Sequence, residues 1–292
     1  MPELPEVEAL ARFLDGRTRG RTIDAADVGA VAALKTYDPP LSALVGRSVH
    51  GWSRRGKWLV LATDGPSLAV HLARGGWVRW REQAPTTPVR PRLGGGSRGA
   101  SLTLRLRFDD GAGADVTEAG TRRRVAVHVV EDAEAVEAIR TLGVEPLSED
   151  FTADVLGELL RARNQQVKGL LRDQRAIAGI GNAYSDEILH TAQVSPFALT
   201  RSFDDDAVDA LHRAVVDTLT AAVAAAEGRP AAELKDAKRR GMQVHGRTGQ
   251  TCPVCGDVVR EVSFADRSLQ YCATCQTGGH VLADRRMSRL LR

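Results

Sequence analysis

Residues 252–275 read CPVCGDVVREVSFADRSLQYCATC and hold all four cysteines of the 292-residue chain. They fall as Cys252-x-x-Cys255 and Cys272-x-x-Cys275, with residues 256–271 between the pairs. Two thiolates at that spacing reach one ion while the intervening amides turn around it, and two such pairs complete a tetrahedral shell. The pattern reads as one structural Zn2+ held by Cys252, Cys255, Cys272 and Cys275, with no open coordination position and therefore no chemistry at the metal. Cysteines gathered at one end of a long chain argue against a disulfide framework. The spacer reads as strand, turn, strand, with the turn near Ala265-Asp266-Arg267. A basic tip on a zinc-held hairpin suits a phosphate, but Arg267 taken alone also reads as a solvated surface charge.

The zinc module lies in a basic region. Residues 229–292 carry a net charge of +6, against −3 for residues 1–228, within a total of +3. Such a bias suits a polyanionic partner, and it also suits a solvated basic surface. No apolar run approaches the roughly 18 residues that would span a membrane. The acidic N-terminus lacks the apolar segment of a secretory signal. A soluble, cytosolic protein is expected, a monomer without membrane contact. Its length suggests two or three domains.

Upstream of the cysteines, from about residue 131 to 242, apolar residues recur at helical spacing in EDAEAVEAIRTLG, TADVLGELLRARN, NQQVKGLLRDQ, AYSDEILHTAQ and the long DDDAVDALHRAVVDTLTAAVAAAEG. Gly179-Ile180-Gly181-Asn182 links two of these helices. Paired glycines permit a tight turn close to a ligand. Asn182 is expected to cap the following helix, whose first amides favour an anion, although an ordinary helix hairpin has the same signature.

From about residue 20 to 130 the pattern is β: TIDAADVGAV, SVHGWSRRG, KWLVLATDG, SLAVHLARGG, SLTLRLRFDDG, ADVTEAG and RRVAVHVV, punctuated by Gly and Asp-Gly. These runs suit an antiparallel sandwich or barrel, and PTTPVRPRLGGGSRG reads as a loop between strands. Ahead of them MPELPEVEALARFLDG opens with Pro2 and Glu3. Pro5 suits a first helical position, Glu6 and Glu8 suit the positive end of the dipole, and Val7, Leu10, Ala11 and Leu14 form an apolar stripe that Gly16 is expected to end. None of this explains Pro2 and Glu3. The division expected is residues 1–130 for a β domain, 131–242 for a helical domain, and 243–292 for a zinc-finger module with a basic tail.

PELPEVE (2–8), RRGKWL (54–59), HLARGG (71–76), GIGNAYSDEIL (179–189) and QVHGRTGQTCPVCG…YCATCQ (243–276) occur in the order seen in one family. The chain resembles the formamidopyrimidine-DNA glycosylase / endonuclease VIII family over essentially its whole length. The resemblance implies a multidomain α+β fold: an N-terminal β-sandwich carrying the first helix, a helix–two-turns–helix domain and a C-terminal zinc-finger β-hairpin. It implies damaged double-stranded DNA as partner, bound in the cleft between the two halves. The implied activity is that of a bifunctional DNA glycosylase and AP lyase of base excision repair. Pro2, freed by removal of Met1, would form a Schiff base with the sugar, and the strand would be cut by β,δ-elimination, with Glu3 shuttling protons. Carried over by position, Lys57 would hold phosphate near the lesion, with His71, Asn182 and Arg267 as further phosphate contacts. Lys168 would lie near the flipped nucleotide. Singly, Lys57, His71 and Lys168 also read as a surface charge, a sheet histidine and a helix-face lysine. Glu187 matches a family acid and reads as structural support.

The chain departs from the better-known members where the gap left by a flipped base must be filled. Their HLGMSG and DPRRFG motifs supply a Met and an Arg-Phe pair. Here Arg74 stands in HLARGG, and TEAGTRRRVAV has no Phe. Arg74 or the arginines at 122–124 would stack in their place. The stretch RPAAELKDAKRRGMQVHGRTG is also short where the family carries a loop over 8-oxoguanine. Its shortness favours oxidised pyrimidines, formamidopyrimidines, bulky adducts or abasic sites. Two other functions fit the scaffold: a non-catalytic DNA-damage or structure-binding protein, which intact Pro2 and Glu3 disfavour, and an RNA-binding module, which would not need PELPE.

Overall fold

A computed structural model describes residues 1–92, 99–264 and 268–283. It divides into two compact units, residues 1–142 with 226–235 and residues 143–225 with 236–292.

The first unit begins with helix α1, Leu4–Thr18. Glu3 is its N-cap, and Pro5 stands at the second helical position rather than the first. Glu3 and Glu6 form a reciprocal capping box, in which the Glu6 carboxylate accepts the Glu3 N–H at 2.9 Å. The expected stripe of Val7, Leu10, Ala11 and Leu14 is buried. Gly16 does not end the helix. The turn continues because the Thr18 hydroxyl donates to the Leu14 carbonyl and the Arg19 amide to that of Asp15. The stop falls at Gly20, whose φ of 78° is the conformation glycine tolerates best.

Eight strands follow: β1 Ile23–Val28, β2 Val49–Arg55, β3 Trp58–Thr63, β4 Ser67–His71, β5 Gly76–Arg81, β6 Ser101–Phe108, β7 Gly113–Glu118 and β8 Ala126–Val130. They form two antiparallel four-stranded sheets, ordered β1-β6-β7-β5 and β2-β3-β4-β8. Leu59, Leu61, Leu68 and Val70 of one sheet share a core with Val78, Leu104, Leu106 and Val116 of the other, and α1 adds Leu10 and Leu14. This is the expected sandwich. Strand β5 was not anticipated, because it begins at Gly76, inside the glycine turn that closes HLARGG.

The expected helix at 131–143 is only a 3-10 turn, Ala133–Ala135, and a four-residue α2, Glu137–Arg140. Helices α3 Ala153–Ala162, α4 Val167–Arg172, α5 Asn182–Thr191 and α6 Asp205–Ala226 follow. Residues 226–235 return to the first unit, where Trp77 Nε1 donates to the Ala231 carbonyl at 2.9 Å. Helix α7, Leu234–Gly241, follows in the shortened stretch. Strands β9 Val259–Ser263 and β10 Ser268–Cys272 form the finger hairpin, and α8 Ala273–Thr277 closes it.

Candidate DNA-binding and catalytic site

In the first unit the capping box fixes the chain terminus. Pro2 is buried and Glu3 is 2% exposed. Glu8, one turn further along α1, accepts from Arg54 Nε on β2 at 2.9 Å. Arg54 Nη1 in turn donates to the Gly56 carbonyl. This chain of bonds ties the β2–β3 turn, which carries Lys57, to the N-terminal half of α1. Gly56 takes a φ of 53° in that turn. Lys57 is buried apart from an 8% remnant. Burial and the neighbouring Lys57 charge hold the His71 imidazole down at about 4, so it is neutral near pH 7. Its ring lies 4.9 Å from that of Trp58.

Arg74 is exposed at a turn in which Ala73 adopts a φ of 52°. The two glycines after it are required by close backbone. A Cβ on Gly75 would stand 2.2 Å from the Ala119 carbonyl oxygen, and one on Gly76 2.1 Å from that of Leu72. The HLARGG turn is therefore pressed against the strand end that leads into GTRRR, and the two departures from the family pattern are neighbours. Arg123 is committed elsewhere, with Nη1 donating to the Ser101 hydroxyl and the Glu118 carbonyl. Arg122 and Arg124 are exposed.

In the second unit α5 is the organising element. Asn182 is not the cap: Gly181 holds that position, and Asn182 is the first helical residue. Its side-chain amide instead reaches the finger, Nδ2 donating to the Ser268 carbonyl at 2.8 Å, while Oδ1 is buried without a partner. Gly179 takes a φ of 85° in the preceding turn. Lys168 is neither a solvated nor an open lysine. Its ammonium is buried and donates to Ser185 Oγ and Asp186 Oδ1, both at 2.6 Å, and to the Asn182 carbonyl at 3.2 Å. Asp186 Oδ2 meets His245 Nδ1 at 2.7 Å. Glu187 supports structure as expected, accepting backbone amides of Gln243, Val244 and His245 at 2.7, 3.0 and 2.7 Å. Burial pushes its carboxyl upward and those three amides oppose the shift. Beside Lys168, Arg172 and Asn182 lies a cavity of about 250 Å³ whose far wall is Ser268 and Leu269. Arg267 lies outside the described residues.

The cysteines converge as their spacing predicts. Cys255 Sγ is 3.3 Å from Cys272 Sγ, and Cys252 Sγ is 3.9 Å from Cys275 Sγ. Gly256 turns the first knuckle with a φ of 81°, and the Cys252 amide donates to the Asp257 carbonyl. A residue that spacing did not reveal joins them. His190 of α5 places Nε2 3.3 Å from Cys252 Sγ, and the donor atoms of His190, Cys252, Cys272 and Cys275 all lie within 4.8 Å of one another. Soft thiolates packed this closely suit zinc, and the cluster fits one structural ion.

Three family models match in chain order: the formamidopyrimidine-DNA glycosylase N-terminal domain over residues 1–127, its H2TH domain over 142–231, and the zinc finger found in FPG and IleRS over 249–278. A formamidopyrimidine-DNA glycosylase from Roseiflexus sp. is 35% identical over 289 residues, covering 94% of this chain and 100% of that protein. The chain belongs to the formamidopyrimidine-DNA glycosylase family. An uncharacterized family-like protein of Mycobacterium tuberculosis is 55% identical over 153 residues, 52% of this chain and 96% of that protein. Among solved structures, the Lactococcus lactis family enzyme in complex with abasic-site DNA superposes with a TM-score of 0.80 at 26% identity, over 94% of this chain and 99% of that one. MutM in complex with DNA containing carbocyclic 8-oxo-G gives 0.79 at 26% identity, over 94% of this chain and 100% of that one. The family fold of sandwich, H2TH helices and zinc finger is thus present throughout. No helix among the described residues is long and apolar enough to cross a membrane.

Proposed function

We propose that this chain is a bifunctional DNA glycosylase and AP lyase of base excision repair, acting on damaged double-stranded DNA. The observation that carries the reading is the terminus: Pro2 and Glu3 are buried together and pinned by the reciprocal box with Glu6. The capping box accounts for Glu3 as a helix start but calls for no proline before it, whereas a nucleophile needs both a fixed position and a proton carrier beside it.

With Met1 attached the Pro2 nitrogen is an amide, so the reading requires its removal. The freed secondary amine has the lowered basicity of an α-amino group, about 2–3 units below lysine, so on the order of a tenth of it is unprotonated near neutral pH. Its lone pair forms the N–C1′ bond while the C1′ bond to the damaged base breaks, and the base leaves with a proton. Glu3 protonates the ring oxygen as the sugar opens, leaving an iminium at C1′ that draws electrons. Loss of a C2′ proton then expels the 3′ phosphate, and a second elimination expels the 5′ phosphate. Lys57 steadies phosphate beside the reacting sugar. Asn182 and Arg267 are further phosphate contacts, and neutral His71 serves only as a single N–H donor. Arg74, with Arg122 or Arg124, fills the space of the flipped base. Lys168 acts by bracing α5. Residues 1–130 carry the chemistry, 131–242 bind the duplex, and 243–292 complete the grip. Cys252, Cys255, Cys272 and Cys275 hold the zinc.

Borohydride trapping on a panel of damaged and abasic duplexes tests this. Wild type should cross-link, and Glu3→Gln and N-terminally blocked protein should not. The lesions trapped reveal the substrate, with oxidised pyrimidines expected ahead of 8-oxoguanine. An N-terminal proline confirmed by mass spectrometry, together with no trapping on any duplex, would leave a DNA-binding scaffold without catalysis.

A further inference from the structure

The zinc cluster has five donors for four places. Four are the thiols in their two spaced pairs, and the fifth is the His190 imidazole. Zn–S bonds of about 2.3 Å and Zn–N bonds of about 2.0 Å set tetrahedral edges of roughly 3.8 Å between sulfurs and 3.5 Å between sulfur and nitrogen. His190 Nε2 already stands 3.3 Å from Cys252 Sγ, a ligand-edge distance. It belongs with Cys252, Cys272 and Cys275 to a set in which every pair of donor atoms lies within 4.8 Å.

His190 is 3% exposed, and its Nδ1 is buried without a hydrogen bond. The ring turns Nε2 to the sulfurs, with the Gln243 side chain also beside the imidazole. Helix α5 holds it there, since Asp186 and Glu187, one turn before it, are bonded to residues 243–245. The Gln276 side chain bridges the finger back to the Val194 carbonyl. Cys255 differs from the other thiols. It is exposed, next to Val254, which is 61% exposed. An exposed thiolate is the one open to peroxides and electrophiles.

We propose that the fourth place at the zinc is shared, with Cys252, Cys272 and Cys275 as fixed ligands and either the exposed Cys255 thiolate or the buried His190 Nε2 completing the shell. The exchange involves no oxidation or reduction at the ion. The Cys255 sulfur leaves, and the neutral imidazole gives its Nε2 lone pair while its proton resides on Nδ1. The finger then survives loss of its outermost thiolate. The inference rests on the zinc site and stands whether or not the glycosylase reading holds.

Full-length Cys255→Ser, His190→Leu and the double variant, with Cys252→Ser as reference, test it by metal content and by cobalt substitution. Cys255→Ser and His190→Leu should each retain one metal per chain. The Cys255→Ser cobalt spectrum should change from a four-thiolate to a three-thiolate, one-imidazole pattern, losing one thiolate's share of charge-transfer intensity. The double variant should bind more weakly than either single variant by more than about 100-fold, beyond the roughly 10–100-fold that an outer hydrogen-bond partner contributes. If Cys255→Ser is as metal-poor as Cys252→Ser, or no weaker when His190 is also removed, His190 never ligates and the proposal is overturned. A metal-poor His190→Leu also overturns it, because the place would then not be shared.

Discussion

Lys168→Met tests whether this lysine braces the H2TH unit. The Lys168 side chain is 7% exposed and that of Asp186 fully buried, with ammonium and carboxylate 2.6 Å apart. Methionine matches the stem in volume and removes the charge. Asp186 then keeps His245 at 2.7 Å but loses its buried cation, and Ser185 Oγ and the Asn182 carbonyl lose a donor. Removing one partner of a buried pair costs about 3–5 kcal/mol, because the other charge remains desolvated. For a unit of this size, each kcal/mol moves the midpoint by about 4 °C, so a fall of roughly 10–20 °C is expected. The assay is thermal or urea unfolding of the full-length chain, followed by far-UV circular dichroism. Lys168→Met/Asp186→Leu should regain most of the loss, since an apolar pair of similar volume replaces the ion pair at little cost. A lysine whose task is to touch DNA would behave otherwise. Its loss would leave stability within about 0.5 kcal/mol and lower the salt dependence of binding by about one phosphate contact. A Lys168→Met protein as stable as wild type, with a shallower salt slope, would refute the brace.

Three further outcomes are expected. His71 is held at about 4 in the folded chain against an ordinary 6.5, so the unfolded chain binds the proton more readily. Its contribution is therefore full above about pH 7 and is lost as pH falls from about 6.5 to about 4, by at most roughly 2–3 kcal/mol after allowance for its partial exposure. Urea unfolding at pH 7.5 and 5 should show that slope in wild type and a shallower one in His71→Gln; equal slopes would remove His71 as the cause. Gly76→Ala drives a methyl to 2.1 Å from the Leu72 carbonyl oxygen, a backbone atom that cannot swing away. About 2–3 kcal/mol of destabilisation is expected by denaturant titration, and an unchanged midpoint would show that the turn yields. Glu6→Ala should slow borohydride trapping severalfold while duplex affinity holds and stability falls by about 1 kcal/mol. Glu6→Gln, which keeps an acceptor for the Glu3 amide, should restore the trapping rate. Equal rates in wild type and Glu6→Ala would show that the capping box does not position the terminus.

Features written locally along the chain were legible in the sequence. Two Cys-x-x-Cys pairs specify a knuckle each, whatever surrounds them, and the apolar, β-prone runs KWLVLAT and SLAVH, set off by turn residues, specify strands although β3 is buried on both faces. Strand β5 escaped because it begins inside the glycine turn of HLARGG and Arg79 and Arg81 break its apolar run. Helix α7 escaped because LKDAKRRG has one buried residue, Leu234, and so no apolar stripe to announce it. Asn182 was taken for a cap because Asn commonly is one, yet Gly181 needs no side chain to begin the helix, and the amide is drawn to Ser268.

Lys168 and His190 were hidden for a different reason. Their roles depend on partners that the chain supplies far away in sequence. Asn182, Asp186 and His190 fall at i, i+4 and i+8 of α5, which reads as an ordinary solvated face. In the folded unit Asp186 and His190 are buried and Asn182 half-buried, and the face meets Ser268, Lys168 with His245, and Cys252. One helix thus joins the GIGN turn, the internal ion pair and the zinc cluster along a single stripe. A polar stripe that begins beside two turn glycines and precedes a metal knuckle is a signal that spacing rules for ligands do not include, because they count residues along the chain and not around a helix. It follows that the finger is not an independent appendage of the H2TH helices. His190 near the C-terminal end of the stripe meets Cys252, and Asn182 at its start lines the Lys168–Arg172 cavity, so one helix runs from the zinc cluster to that cavity.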